Sequence, residues 1–173
     1  MTREPRPETF EEIPHSADFR DGWTRQLHAD IAVAASHAIP VLITAPMPCA
    51  QAIVQAIVSS HHLVETPEIV SYEVGTGDLA GALAEGRRVA ASHGRAILWL
   101  KEVHRLESDA QRSLMGEMTE ETAESDVLQI IASSTADLYE YVNTGAFDDR
   151  LFYRLNTVHI VVPPDESGQE ERP

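Results

Sequence analysis

The sequence predicts an α/β protein, a three-layer sandwich with a parallel sheet of five strands between two layers of helices. Two observations carry this. Short apolar runs alternate with longer stretches whose apolar residues recur every three or four positions, as in strand–helix–strand units. Runs such as AILWL (96–100) and VLQIIAS (127–133) are apolar almost throughout, as strands buried on both faces are. At 173 residues, the chain is long enough for one domain with a substantial core.

The elements follow in order. DGWTRQLHADIAVAASHAI (21–39) reads as a helix, with Trp23, Leu27, Ile31 and Ala34 at helical spacing. PVLITA (40–45) is a buried strand. AQAIVQAIVSSHH (50–62) is a helix whose apolar face carries Ile53, Val54, Ile57 and Val58. EIVSYEV (68–74) is a strand. GDLAGALAEGRRVAASHG (77–94) is a helix, with Asp78 near its start and Gly94 as its stop. AILWL is the third strand, and ESDAQRSLMGEM (107–118) a helix with Leu106, Ala110, Leu114 and Met118 along one stripe. After VLQIIAS come two short helices, TADLYEYVN (135–143) and DDRLFYRL (148–155), and a last strand, TVHIVV (157–162). Residues 1–15 and 165–173 are polar and are expected to be flexible tails, with the folded core at 16–164.

Composition narrows the function. The formal charge is -15, with 28 acidic and 13 basic residues. Such a surface repels phosphate backbones, so direct DNA binding is not expected; the acidity reads as solubility. No apolar run approaches the roughly 18 residues of a membrane span. The opening MTREPRPETFEEIP lacks the apolar core of a signal peptide. The single cysteine, Cys49, permits no internal disulfide and reads as a small buried residue. The cytoplasm is the expected compartment. The histidines, including His61, His62 and His93, lack a ligand spacing, so no metal site is expected.

Sites in such sheets form beyond the carboxyl ends of the strands. There the chain places VLITAPMPCAQA (41–52), AILWLKEV (96–103) and IIASSTADL (130–138), followed by GAFDDRLFYRLNTVHIVVPP (145–164). The series resembles the central ATPase domain of the sigma-54-dependent transcriptional activators, a branch of AAA+ within the P-loop NTPase superfamily. That family reads VLITGESGTGKE, GTLFLDEV, IIAATNRDL and FREDLYYRLNVFPIRLPP at the corresponding places. LFYRLN followed by PP is the most specific piece, and DAQRSLM supports it. The resemblance runs from about residue 16 to 164. It implies a P-loop NTPase core with the VLIT strand central, between VLQIIAS and TVHIVV. It also implies a bacterial, response-regulator-like role in transcription regulation, with ATP and Mg²⁺ as the family's cofactors.

The departures from the family are specific. A GxxxxGK[ST] loop cradles phosphate with backbone N–H groups at a helix N-terminus. Here its glycine positions are Ala45 and Ala50, its lysine position is Gln51, and the next is Ala52. Pro46 and Pro48 have no N–H to donate. The family's acidic pair, which holds Mg²⁺ and positions water, matches Lys101 and Glu102; its sensor asparagine matches Thr135. The two arginines that reach a neighbouring subunit match Asp148 and Arg154, with Arg150 two places along from Asp148. The family's GAFTGA loop, which engages the sigma factor, has no clear counterpart, although LAGALAEG (79–86) echoes it faintly. The chain is expected to lack the helical lid and the DNA-binding helix-turn-helix.

These residues have plainer readings too. Lys101 is either a solvated strand-end lysine or the ion-pair partner of Glu102 or another nearby acid. Arg154 either packs its stem on the short helix or serves an interface. Asp137 caps or solvates a helix. The expectation is a degenerate AAA+ domain, a pseudo-ATPase without bound cofactor, acting by contact with a protein: another regulator or a second copy of itself. The alternative is an ATP-binding regulator with an unusual working site. A third possibility is an adaptor for a receiver domain or kinase on the same scaffold.

Overall fold

The computed structural model describes residues 21–61, 66–119 and 127–162, with residues 21–24 described by backbone alone. The expected tails, the domain limits at 16 and 164, the Trp23 side chain and His62 lie outside the described residues.

The element order is α1 (Asp21–His37), β1 (Val41–Thr44), α2 (Met47–Ser59), β2 (Glu68–Glu73), α3 (Leu79–His93), β3 (Arg95–Lys101), a 3-10 turn (Val103–Arg105), α4 (Ser108–Thr119), β4 (Val127–Ser134), α5 (Leu138–Asn143), α6 (Asp149–Leu155) and β5 (Val158–Val161). The five strands form one sheet in the order β2-β3-β4-β1-β5, and every pairing is parallel. The central place expected for VLIT, between β4 and β5, is the one observed.

Side-chain alternation divides the core in two. Val41, Ile43, Ile97, Trp99, Ile131 and Ile160 face α1 and α2. Leu42, Leu98, Leu100, Ile130 and Ala132 face the other way, toward α3, α4, α5 and α6. A strand covered on both faces has no solvent side to reserve for polar residues, which is why AILWL and VLQIIAS read as unbroken apolar runs. Ser133 and Gln129 are the exceptions, and Gln129 is fully buried. Its amide donates to the Ala34 and Ile39 carbonyls at 2.9 and 3.0 Å, satisfying acceptors that the end of α1 leaves open.

Helix ends follow from local chemistry. Asp78 accepts from the Ala80 and Gly81 amides at the start of α3, and Gly94 closes that helix at φ 75°. Gly86 lies against Leu128, whose Cδ1 would be 3.1 Å from an added Cβ, so a larger residue there would require the Leu128 side chain to shift by a few tenths of an ångström. An Arg87–Glu117 ion pair links α3 to α4.

Candidate functional site

The carboxyl ends of β1, β4 and β3 lie side by side at the middle of the sheet. The loop after β1 is short, because α2 begins at Met47, three residues before the Ala50 start that the sequence suggests. The two prolines explain the difference. Pro46 is the N-cap, at φ -54° and ψ 144°, and Pro48 falls in the first turn. There a missing N–H interrupts no intrahelical bond, and proline's fixed φ suits the helix.

Two backbone donors of this loop are committed to the protein's own carbonyls. Ala45 donates its N–H to the Ser134 carbonyl at 3.1 Å, and Ala50 donates to the Pro46 carbonyl at 3.0 Å. Ala45 and Ala50 are buried, Ala52 is half-buried and Gln51 is exposed. No residue from 41 to 52 has a positive φ, so no αR–αL nest of convergent N–H groups forms here. Beside the loop, Thr44 Oγ1 and His159 Nε2 are 2.9 Å apart, joining β1 to β5.

Glu102 and Thr135 come together. Glu102 follows β3 in the left-handed region, at φ 59° and ψ 47°. That conformation is disfavoured by roughly 1–2 kcal/mol for a residue with a side chain. It turns the chain into the 3-10 segment and carries the carboxylate to β4. Thr135 Oγ1 donates to Glu102 Oε2 at 2.8 Å, and His104 Nδ1 lies 3.2 Å from the same oxygen. The Glu102 and His104 side chains are each only 12% exposed. His104 Nδ1 is also 2.9 Å from Ser134 Oγ, which donates to the Ala136 carbonyl at 2.6 Å. With that hydroxyl proton committed, Ser134 Oγ and Glu102 Oε2 both act as acceptors toward Nδ1. The imidazole therefore carries its proton on Nδ1. Burial pushes the His104 pKa below its ordinary value; Glu102 opposes the shift and Arg105 adds to it. The Tyr141 ring packs on the imidazole, centroids 5.3 Å apart.

Lys101 is not part of this cluster. Its Nζ lies 4.4 Å from the centroid of the Trp99 ring, and among the described residues it makes no ion pair with Glu102. The alternation of β3 turns residue 101 to the same face as Trp99, whose indole N–H donates to Ser133 Oγ at 3.0 Å.

Asp148 and Arg154 stand apart from Glu102, at the two ends of α6. Asp148 accepts from the Leu151 amide at 2.9 Å as the N-cap. Its own N–H donates to Gln111 Oε1 at 2.8 Å. Arg154 Nη1 donates to the Met118 carbonyl at 2.8 Å, at the end of α4. Both residues, and Arg150, remain exposed. Asp137 caps α5 by accepting from the Tyr139 amide at 2.9 Å.

Sequence reasoning did not single out His104, Ser134, Tyr141 or Gln111. The available signals were polar residues at the ends of apolar strands, in KEVH and SST, and a glutamine beside the Ala110–Leu114 stripe. Among the described residues, no group of three or more His, Cys, Asp or Glu side chains is arranged to hold a metal ion. None of the described helices is long and apolar enough to cross a membrane.

A parallel sheet with the first strand central and a strand–loop–helix unit at its carboxyl edge defines a domain of the P-loop NTPase class. Within it, the chain belongs to the Sigma-54 interaction domain family, whose profile matches residues 23–164. It is 31% identical to the DNA-binding transcriptional regulator NtrC of Rhizobium meliloti over 119 residues, 64% of this chain and 24% of that protein. It is 33% identical to the transcriptional regulatory protein ZraR of Klebsiella oxytoca over 113 residues, 61% of this chain and 25% of that one. The chain thus spans about a quarter of the length of these relatives. In structure it resembles NtrX from Brucella abortus in complex with ATP, at a TM-score of 0.64 and 20% identity, over 88% of this chain and 39% of that one. It also resembles the P-loop NTPase domain of the Sigma-54 transport activator from E. coli, at a TM-score of 0.59 and 17% identity, over 84% of this chain and 97% of that one. At these identities the two structures share the fold.

Proposed function

We propose that this chain is a non-catalytic member of the sigma-54 interaction domain family, a regulatory domain that works by protein contact. The loop after β1 carries this reading. A phosphate loop needs convergent N–H groups, a helix N-terminus and a lysine, with Mg²⁺ offsetting the remaining charge. Here Ala45 and Ala50 donate to carbonyls of the protein, two prolines have no N–H, and Gln51 supplies no cation. Lys101 occupies the position of the metal-holding aspartate. These residues do not fit a magnesium nucleotide. Charge-assisted hydrogen bonds are worth about 1.5–3 kcal/mol each, and every 1.4 kcal/mol or so is tenfold in affinity. Losing several weakens binding by orders of magnitude.

Isothermal titration with Mg-ATP tests this: the expected result is no saturable heat, and no ATP turnover above background. Gln51→Lys alone is expected to restore neither, because the prolines and Lys101 remain. A micromolar dissociation constant abolished by Gln51→Ala or Glu102→Ala would establish the other reading, an ATP-binding regulator. The Glu102–Thr135 contact, in which an acid and a hydrogen-bonding side chain occupy the family positions, favours that reading.

The protein-contact surface in this proposal is the α6 face with Asp148 and Arg154. It would take another regulator or a second copy of the chain. The charge of -15 argues against DNA as its direct ligand.

A further inference from the structure

A second surface, away from α6, has the make-up of a peptide site. β2 is an edge of the sheet and pairs with β3 alone among the described residues. A strand in that position presents a row of backbone N–H and C=O groups that another chain can pair with. At its carboxyl end β2 runs into a groove of about 430 Å³. The apolar lining comes from Tyr72, Val74, Leu79, Leu106 and Ala110, brought together from the end of β2, the start of α3 and the start of α4. Tyr72 belongs to both surfaces: it is in β2, and its hydroxyl donates to the Gly77 carbonyl at 3.0 Å in the turn that forms one wall.

The electrostatics select the occupant. Asp78, Glu107 and Asp109 line the groove against one guanidinium, that of Arg105. Glu68 and Glu73 are exposed at the two ends of β2. Asp78 also caps the start of α3 and Asp109 sits in the first turn of α4, where they offset the helix dipoles that would otherwise attract an anion. A volume of this size holds one or two apolar side chains, and the six residues of β2 match a strand of about 20 Å.

We propose that the β2 edge and this groove together bind an extended segment of a partner protein, carrying Lys or Arg beside an apolar anchor. The segment adds a sixth strand next to β2. Its anchor seats against Val74, Leu79 and Leu106, and its cations meet Glu73, Asp78 and Glu107. The inference goes beyond the reading above and does not depend on whether the loop after β1 binds nucleotide.

Selection of random twelve-residue peptides displayed on phage, against the whole chain, tests it. Enrichment of peptides with Lys or Arg flanking an apolar residue is expected. A fluorescein-labelled synthetic copy of the strongest is then titrated by anisotropy. Glu107→Arg, which reverses a rim charge, and Ala80→Trp, which fills the groove from an exposed helix position, should each weaken binding at least tenfold. N-methylation of alternate peptide amides should do the same, because it blocks strand addition. Circular dichroism melts of both variants, matching wild type, show that the fold is kept. Failure to enrich any peptide, enrichment of acidic ones, or affinities within twofold across both variants would overturn the proposal.

Discussion

His104 shares one N–H between two oxygens, and this fixes how the site responds to acid. The folded protein disfavours the charged imidazole, mainly through burial. The unfolded chain titrates near the ordinary histidine value of about 6.5. A group whose folded pKa is lowered contributes stability that is present above that value and lost as pH falls through the folded pKa. The melting temperature should therefore fall as pH drops below about 6.5, and His104→Asn, which keeps an N–H donor but cannot ionise, should lessen the fall. Parallel melts over that range check it; an identical fall in both proteins would contradict the assignment. His159 is also held below its ordinary value, by lost hydration first and against the pull of Asp137. It is common to both proteins, so the comparison isolates His104. At this scale the sequence was only partly legible. Glu102 and Thr135 were marked by position and do meet, but no spacing rule joins residue 104 to residue 134. Their meeting depends on the left-handed turn at Glu102, and a side-chain-bearing residue announces such a turn far less clearly than a glycine would.

Gln111 shows the same limit among the elements. It is 4% exposed. Its amide donates to the Leu106 and Ala146 carbonyls at 2.8 and 3.0 Å, and its Oε1 accepts from the Asp148 N–H at 2.8 Å. One side chain thus fixes the start of α4 to the loop that launches α6. Gln111→Leu keeps the bulk but leaves those backbone groups without a partner, each worth about 1 kcal/mol or more when buried. A loss of roughly 2–4 kcal/mol is expected, read as a lower urea midpoint with an unchanged slope. A shift under about 0.5 kcal/mol, the range of ordinary surface changes, would show that Gln111 is dispensable. The helices themselves were readable because their apolar stripes and caps are local: Asp78, Asp137 and Gly94 do what their types suggest. The start of α2 was not, since Pro46 and Pro48 suit a loop and a first helical turn equally well.

Across the whole molecule, the parallel sheet follows from the alternation of elements, and the strand order from the resemblance of ordered motifs. The partner surfaces have no comparable pattern, because an interface leaves no period in a sequence. If the α6 face is the contact surface, Arg154→Glu should reduce co-purification of the partner or of a second tagged copy at least tenfold. Its melting temperature should stay close to that of wild type, since the contact with Met118 is exposed. Undiminished capture by a folded Arg154→Glu protein would place the interface elsewhere. The basic residues have a further property. Of the 13, 12 are arginines, and the remaining one is Lys101. The only primary amine on any side chain therefore rests on the Trp99 indole at the carboxyl edge of the sheet. An acylating dye directed at side-chain amines has one address in this molecule, and it lies against an intrinsic fluorophore. The protein thus comes with a donor and an attachment point for an acceptor already side by side, at the carboxyl end of β3.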